Sequence, residues 1–67
     1  MKTIRSWEVV NDSTGNKIKN GGPFNTINKA WARRREFLKA NKDIPSCNIY
    51  INRLEKIDGV WFGQAVN

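Results

Sequence analysis

A chain of 67 residues with twelve Lys/Arg against six Asp/Glu carries a formal charge of +6, and its hydrophobic content of 39% is that of a globular domain rather than a disordered segment. One cysteine and no histidine exclude an internal disulfide, the usual Cys/His zinc sites and every catalytic arrangement that needs an imidazole. A chain this short buries only about 60% of its unfolded surface, so three Trp, three Phe and one Tyr must do much of the work of a small core.

Taken in order, residues 3–10, TIRSWEVV, read as a first strand. Arg5, Trp7 and Val9 share one face and Ile4, Glu8 and Val10 the other, so neither face is purely apolar and both registers are open. The N-terminal stretch has no apolar run long enough for a secretory leader, and no segment reaches the ~20 apolar residues of a membrane span. A cytoplasmic location is therefore expected.

Asn11 to Asn16, NDSTGN, is a dense turn signal that predicts a hairpin. Lys17 to Asn20 should form a short returning strand, with Ile18 inward and the lysines protecting the edge. Gly21-Gly22-Pro23-Phe24 then breaks the strand. A glycine-rich loop ahead of a helix can cradle phosphate, but neither nucleotide-binding glycine pattern is present. A tight reversal with Phe24 plugging the core is the simpler expectation.

Thr26 to Asn41 is the single long helical pattern, capped by Asn25 or Thr26. Ile27, Ala30, Trp31, Phe37 and Leu38 fall on one stripe, with Lys29, Arg33 and Glu36 opposite and Arg35 and Lys39 on one flank. Arg34 falls inside the apolar stripe. Since a guanidinium is seldom buried unpaired, it must reach past its neighbours to water, pair with a carboxylate or carbonyl, or belong to a binding face.

After a loop at 42–46, residues 47–57, CNIYINRLEKI, alternate as a strand, with Cys47 expected to be a small, partly buried apolar residue. Asp58-Gly59 predicts a two-residue type I′ hairpin into a last strand at 60–66. That pairing puts Ile49, Ile51, Ile57, Val60, Phe62 and Val66 on the better core face. Tyr50, Lys56 and Trp61 then lie on the other.

The fold expected over residues 1–67 is one small basic α+β domain, ββαββ along the chain, with an antiparallel sheet packed against a single amphipathic helix. No cofactor, metal or small-molecule substrate is expected, and no enzyme activity. Glu8 and Glu55 are conceivable as an acid/base pair across the sheet, though two solvated strand residues explain them as well.

The basic residues carry the functional expectation: a non-catalytic nucleic-acid-binding module, for DNA or RNA, with Lys29, Arg33, Arg35 and Lys39 against phosphates, helped by Lys17, Lys19 and Lys56. Arg34 completes the three-arginine run. Tyr50 and Trp61 beside Lys56 offer rings for unpaired bases, or else pack under the helix. The alternative is a small protein-binding modulator or inhibitor, phage-encoded in character given the abundance of Asn and Lys, docking on an acidic surface of a host or cellular protein.

Overall fold

The computed structural model describes residues 3–66. Five elements follow one another: β1 (Thr3–Asn11), β2 (Asn16–Lys17), α1 (Ile27–Ala40), β3 (Ile49–Ile57) and β4 (Val60–Val66). The strands form one antiparallel sheet in the order β2-β1-β3-β4, so the expected ββαββ arrangement with a single helix is the observed one.

The sheet is built on β1 and β3, which pair along nine residues from Thr3 opposite Ile57 to Asn11 opposite Ile49. Alternation places Trp7, Val9, Ile49, Ile51 and Val66 on the face that meets α1. Val9 and Ile51, a directly opposed pair, are fully buried with Ala30 of the helix. Ile18 and Ile49 complete the buried cluster, and Trp7, Phe24, Trp31, Phe37, Leu38 and Ile44 pack around it. The ambiguous face of β1 is thus decided by Trp7 and Val9, which find the helix. Arg5 shares that face but lies beyond the helix's reach.

The hairpin at 11–16 forms as its composition predicts. Asn11 accepts the Ser13 N–H on its side-chain oxygen at 3.0 Å, and Gly15 holds φ at +71°. The returning strand is shorter than expected, with only Asn16 and Lys17 regular. Residues 18–24 nevertheless follow the edge of β1, because Ile18 N–H donates to Val9 O, Val9 N–H to Gly21 O, and Trp7 and Phe24 exchange a pair of backbone bonds. The excursion needs Asn20 at φ +57° and a backbone at Gly21 close enough to β1 to exclude a side chain. The two glycines therefore serve a close approach, and Phe24 does plug the core.

Thr26 caps α1 by accepting the Lys29 N–H on Oγ1, and Asn41 closes its end with both backbone and side-chain bonds to Phe37 O. Asp58 at φ +51° and Gly59 at +82° make the type I′ turn between β3 and β4.

Two expectations need correction. The core face extended to Ile57, Val60 and Phe62, yet Val60 and Phe62 are more than half exposed and Ile57 is only partly covered. A helix of 14 residues is about 21 Å long, whereas the molecule extends 43 Å along its longest axis. The far half of the sheet, with the β3–β4 hairpin at its tip, has no helix above it. Cys47 is exposed rather than partly buried, because residues 46–48 form a 3-10 turn that starts β3 two residues later than the alternation suggested.

A Cβ added at Gly21 would lie 2.8 Å from Ile18 Cγ1, Ile18 O and Val9 O, two of them backbone atoms that cannot yield without breaking the β1 edge. Gly21→Ala is expected to destabilise the fold by about 1–3 kcal/mol in urea unfolding. A variant as stable as the parent would show that the segment at 18–24 is not held against β1 in this way.

Candidate nucleic-acid interface

Arg33, Arg34 and Arg35 are consecutive, so successive steps of about 100° send them to three sides of α1. Arg33 reaches back over the β1–β2 side and donates Nη2–H to Lys19 O at 2.7 Å and Nε–H to the same oxygen at 3.3 Å, with Glu36 at 3.5 Å from Nη1. Arg34 turns under the helix. Its Nε–H donates to Ile49 O and its Nη2–H to Ser46 O, each at 2.8 Å, while the guanidinium carbon sits 5.4 Å from the centre of the Trp31 ring. Of the three outcomes open for Arg34, pairing with carbonyls is the one observed. The guanidinium ties α1 to the start of β3, supplying a donor to Ile49 O, which lies beyond the end of the β3–β4 ladder, and a second donor to Ser46 O, which also accepts the Ile49 N–H.

Arg35 is exposed, as are Lys29 and Lys39. Among the described residues none of these three takes part in a salt bridge. Arg35 and Lys39 stack one turn apart, and Lys42 is exposed just past the helix end. Lys29 lies in the first turn, which contains no acidic residue. The positive end of the helix dipole thus adds to a lysine charge instead of being offset by a carboxylate.

The remaining basic residues are mostly committed to the fold. Lys17 donates from Nζ to Gly22 O at 3.0 Å and lies 3.5 Å from Glu8. Arg5 and Arg53 flank Glu55 at 3.6 and 3.0 Å, and Arg53 also donates to the Gln64 side chain. The buried Nε of Arg53 is off line for a hydrogen bond to Glu55, so that contact is an ion pair only. Glu8 and Glu55 point to opposite faces of the sheet and each has its own cation, which removes them as an acid/base pair.

Tyr50, Lys56 and Trp61 all face away from α1, on the uncovered side of the sheet. Lys56 Nζ is 5.8 Å from the centre of the Trp61 ring, the cross-strand contact that their opposed positions predict. Tyr50 is half-buried and six residues from Lys56 along β3, a separation of about 20 Å. It lines instead a shallow open depression of about 400 Å³ with Asp12, Cys47, Asn52 and Ala65. The basic and aromatic residues named from the sequence therefore do not make one surface: Lys29, Arg35 and Lys39 lie on the outer side of the helix, Arg33 and Arg34 hold the fold, Lys17 and Lys19 lie on the β2 side, Lys56 and Trp61 sit across the sheet, and Tyr50 stands apart. No group of three metal-ligating side chains occurs among the described residues. No helix among them is long and apolar enough to cross a membrane.

Replacing Arg34 with Ala should cost about 1.5–3 kcal/mol of stability, since charge-assisted bonds to two backbone oxygens are lost. Arg35→Ala, on the solvated side, should change stability by less than about 0.5 kcal/mol. Equal losses in thermal or urea unfolding would overturn this division of the arginine run. Comparison with protein-family models, characterised proteins and solved structures finds no match to this chain.

Proposed function

We propose that this protein is a non-catalytic, cytoplasmic nucleic-acid-binding module that sets the outer side of α1 against phosphates. The observation that carries the reading is the set of exposed cations, Lys29, Arg35 and Lys39, which have no acidic partner among the described residues, whereas Arg5, Lys17, Arg33 and Arg53 each have one. An unpaired cation gains little for the fold, but it displaces counterions when it meets a phosphate backbone. The open N-terminal end of the helix beside Lys29 strengthens the same field. Arg33 and Arg34 support the surface from within by fixing the helix to the sheet.

A second reading is favoured by Trp61, which is 51% exposed beside Lys56. An aromatic ring left half in water is the kind of residue that anchors a protein interface. In that reading the chain is a modulator or inhibitor docking on an acidic protein surface.

Binding to duplex DNA, single-stranded DNA and RNA, measured across a salt series, separates the two. With three phosphate contacts, the logarithm of duplex affinity should fall with the logarithm of salt at a slope of about −3. The triple variant Lys29→Ala, Arg35→Ala, Lys39→Ala should bind weakly on every sequence and lose most of that slope. Affinity unchanged in the triple variant, or no binding by the parent at low salt, would overturn the nucleic-acid reading. A partner retained from nuclease-treated extract through Trp61 would then support the second.

A further inference from the structure

We propose that the free edge of β4 pairs with β4 of a second copy of this chain, joining two four-stranded sheets across a two-fold axis near Gly63. The two edges of the sheet are treated very differently. On the β2 side the regular strand is two residues long, ends in Lys17 and is followed by Lys19, and the loop at 18–24 covers β1 as far as Trp7. Short strands, lysines and covering loops are the ordinary protections of an edge. β4 has none of them. It is seven residues long, VWFGQAV, without a charge or a proline, and Val60, Trp61 and Phe62 are each more than half exposed.

The type I′ hairpin decides which backbone groups are open. In a two-residue hairpin the flanking pair, Ile57 and Val60, bond to each other, and bonding alternates from there. Trp61, Gly63 and Ala65 therefore direct their N–H and C=O groups outward. An antiparallel copy centred on Gly63 places Gly63 opposite Gly63 of the second copy and Trp61 opposite Ala65 of the second copy. Every outward group of the three residues then finds a partner. Val60 meets Val66 and Phe62 meets Gln64 of the second copy on the helix side of the sheet. The register sets the large Trp61 against the small Ala65 and brings glycines together at the axis, and it places the bare tip of one molecule against the helix-covered end of the other.

Charge favours a second copy over a nucleic acid or an acidic peptide at this edge. Although the chain carries +6, residues 60–66 carry nothing, and on the neighbouring strand Glu55 is held between Arg5 and Arg53. The unpaired cations of α1 lie over β1 and β3, and Lys56, on the other face beside Trp61, falls at opposite ends of the seam in the two copies. Two copies can thus approach along β4 without bringing their cations together. Trp61 and Phe62, half exposed, each leave on the order of 100 Å² to cover. Doubled by symmetry and added to Val60, Val66 and two strand backbones, the burial reaches roughly the 1,000 Å² that a specific interface needs. The two-fold axis runs perpendicular to the sheet, so both helices stay on one side of it.

Sedimentation equilibrium of the full chain from micromolar to millimolar concentration should move from 7.7 kDa to twice that mass. Added salt should leave the dimer intact, unlike nucleic-acid binding by α1. Ala65→Pro removes an outward N–H without touching the β3 ladder, and Phe62→Lys adds a like charge to the seam; each should weaken the dimer about tenfold or more. Should either variant fail to fold, hydrogen exchange of the parent decides: the amides of Trp61, Gly63 and Ala65 should slow as concentration rises. A monomer at millimolar concentration, a dimer indifferent to folded forms of these variants, or unchanged exchange at the three amides would overturn the proposal.

Discussion

The geometry of this molecule follows from a mismatch of lengths. Two strands of nine residues pair along their whole course, while the helix that must cover them is about 21 Å long. Apolar surface is removed from water only where the helix lies, around Val9, Ala30, Ile49 and Ile51. Beyond that region the same alternation continues, but its inward-pattern residues meet solvent or one another. The ion-pair row Arg5, Glu55 and Arg53 marks the transition, because charged groups occupy the helix-side face where the helix no longer reaches. One half of the sheet is a core and the other is a platform.

The same constraint divides the cations. Docking a short helix on a narrow sheet leaves little apolar contact, and Arg33 and Arg34 add to it by bonding backbone oxygens at either side of the helix, on Lys19, Ser46 and Ile49. Bonds of this kind are stronger than neutral ones and fix the helix azimuth. A rotation that exposed Arg34 would remove its bonds to Ile49 O and Ser46 O, and one that buried Arg35 would bring an unpaired charge into the interface. The outward position of Arg35 and Lys39 is thus enforced by what their neighbours hold.

Much of this order is legible in the residues themselves. The hairpin signals NDSTGN and DG, the cap at Thr26 and the 3.6-residue stripe are local, and local chemistry decides them. What could not be read were the facts that depend on relative placement. Ile57, Val60 and Phe62 alternate as well as Ile49 and Ile51, and nothing in a period of two says where the covering helix stops. Arg34 in an apolar stripe was visible as an anomaly, but its partners are backbone carbonyls fifteen and twelve residues away, which no side-chain pattern records. Tyr50, Lys56 and Trp61 shared a face as expected, yet the length of β3 separates the first from the other two.

A single physical contrast connects the platform with the charged helix. Cations without partners repel their like and seek an anion, so they belong on a surface held apart from other copies. Uncharged edge groups without partners seek another strand, and they are tolerable only when that strand is specified or excluded. The β2 edge excludes it with lysines and a covering loop. The β4 edge, in a chain with twelve basic residues to place, has received none of them. Composition alone would scatter charge more evenly, and a single Lys at position 62 or 64 would protect the edge at little cost to the monomer. The exposed cations of α1 and the uncharged residues 60–66 lie on different parts of the molecule, so the proposed phosphate-binding surface and the proposed strand-pairing edge do not overlap.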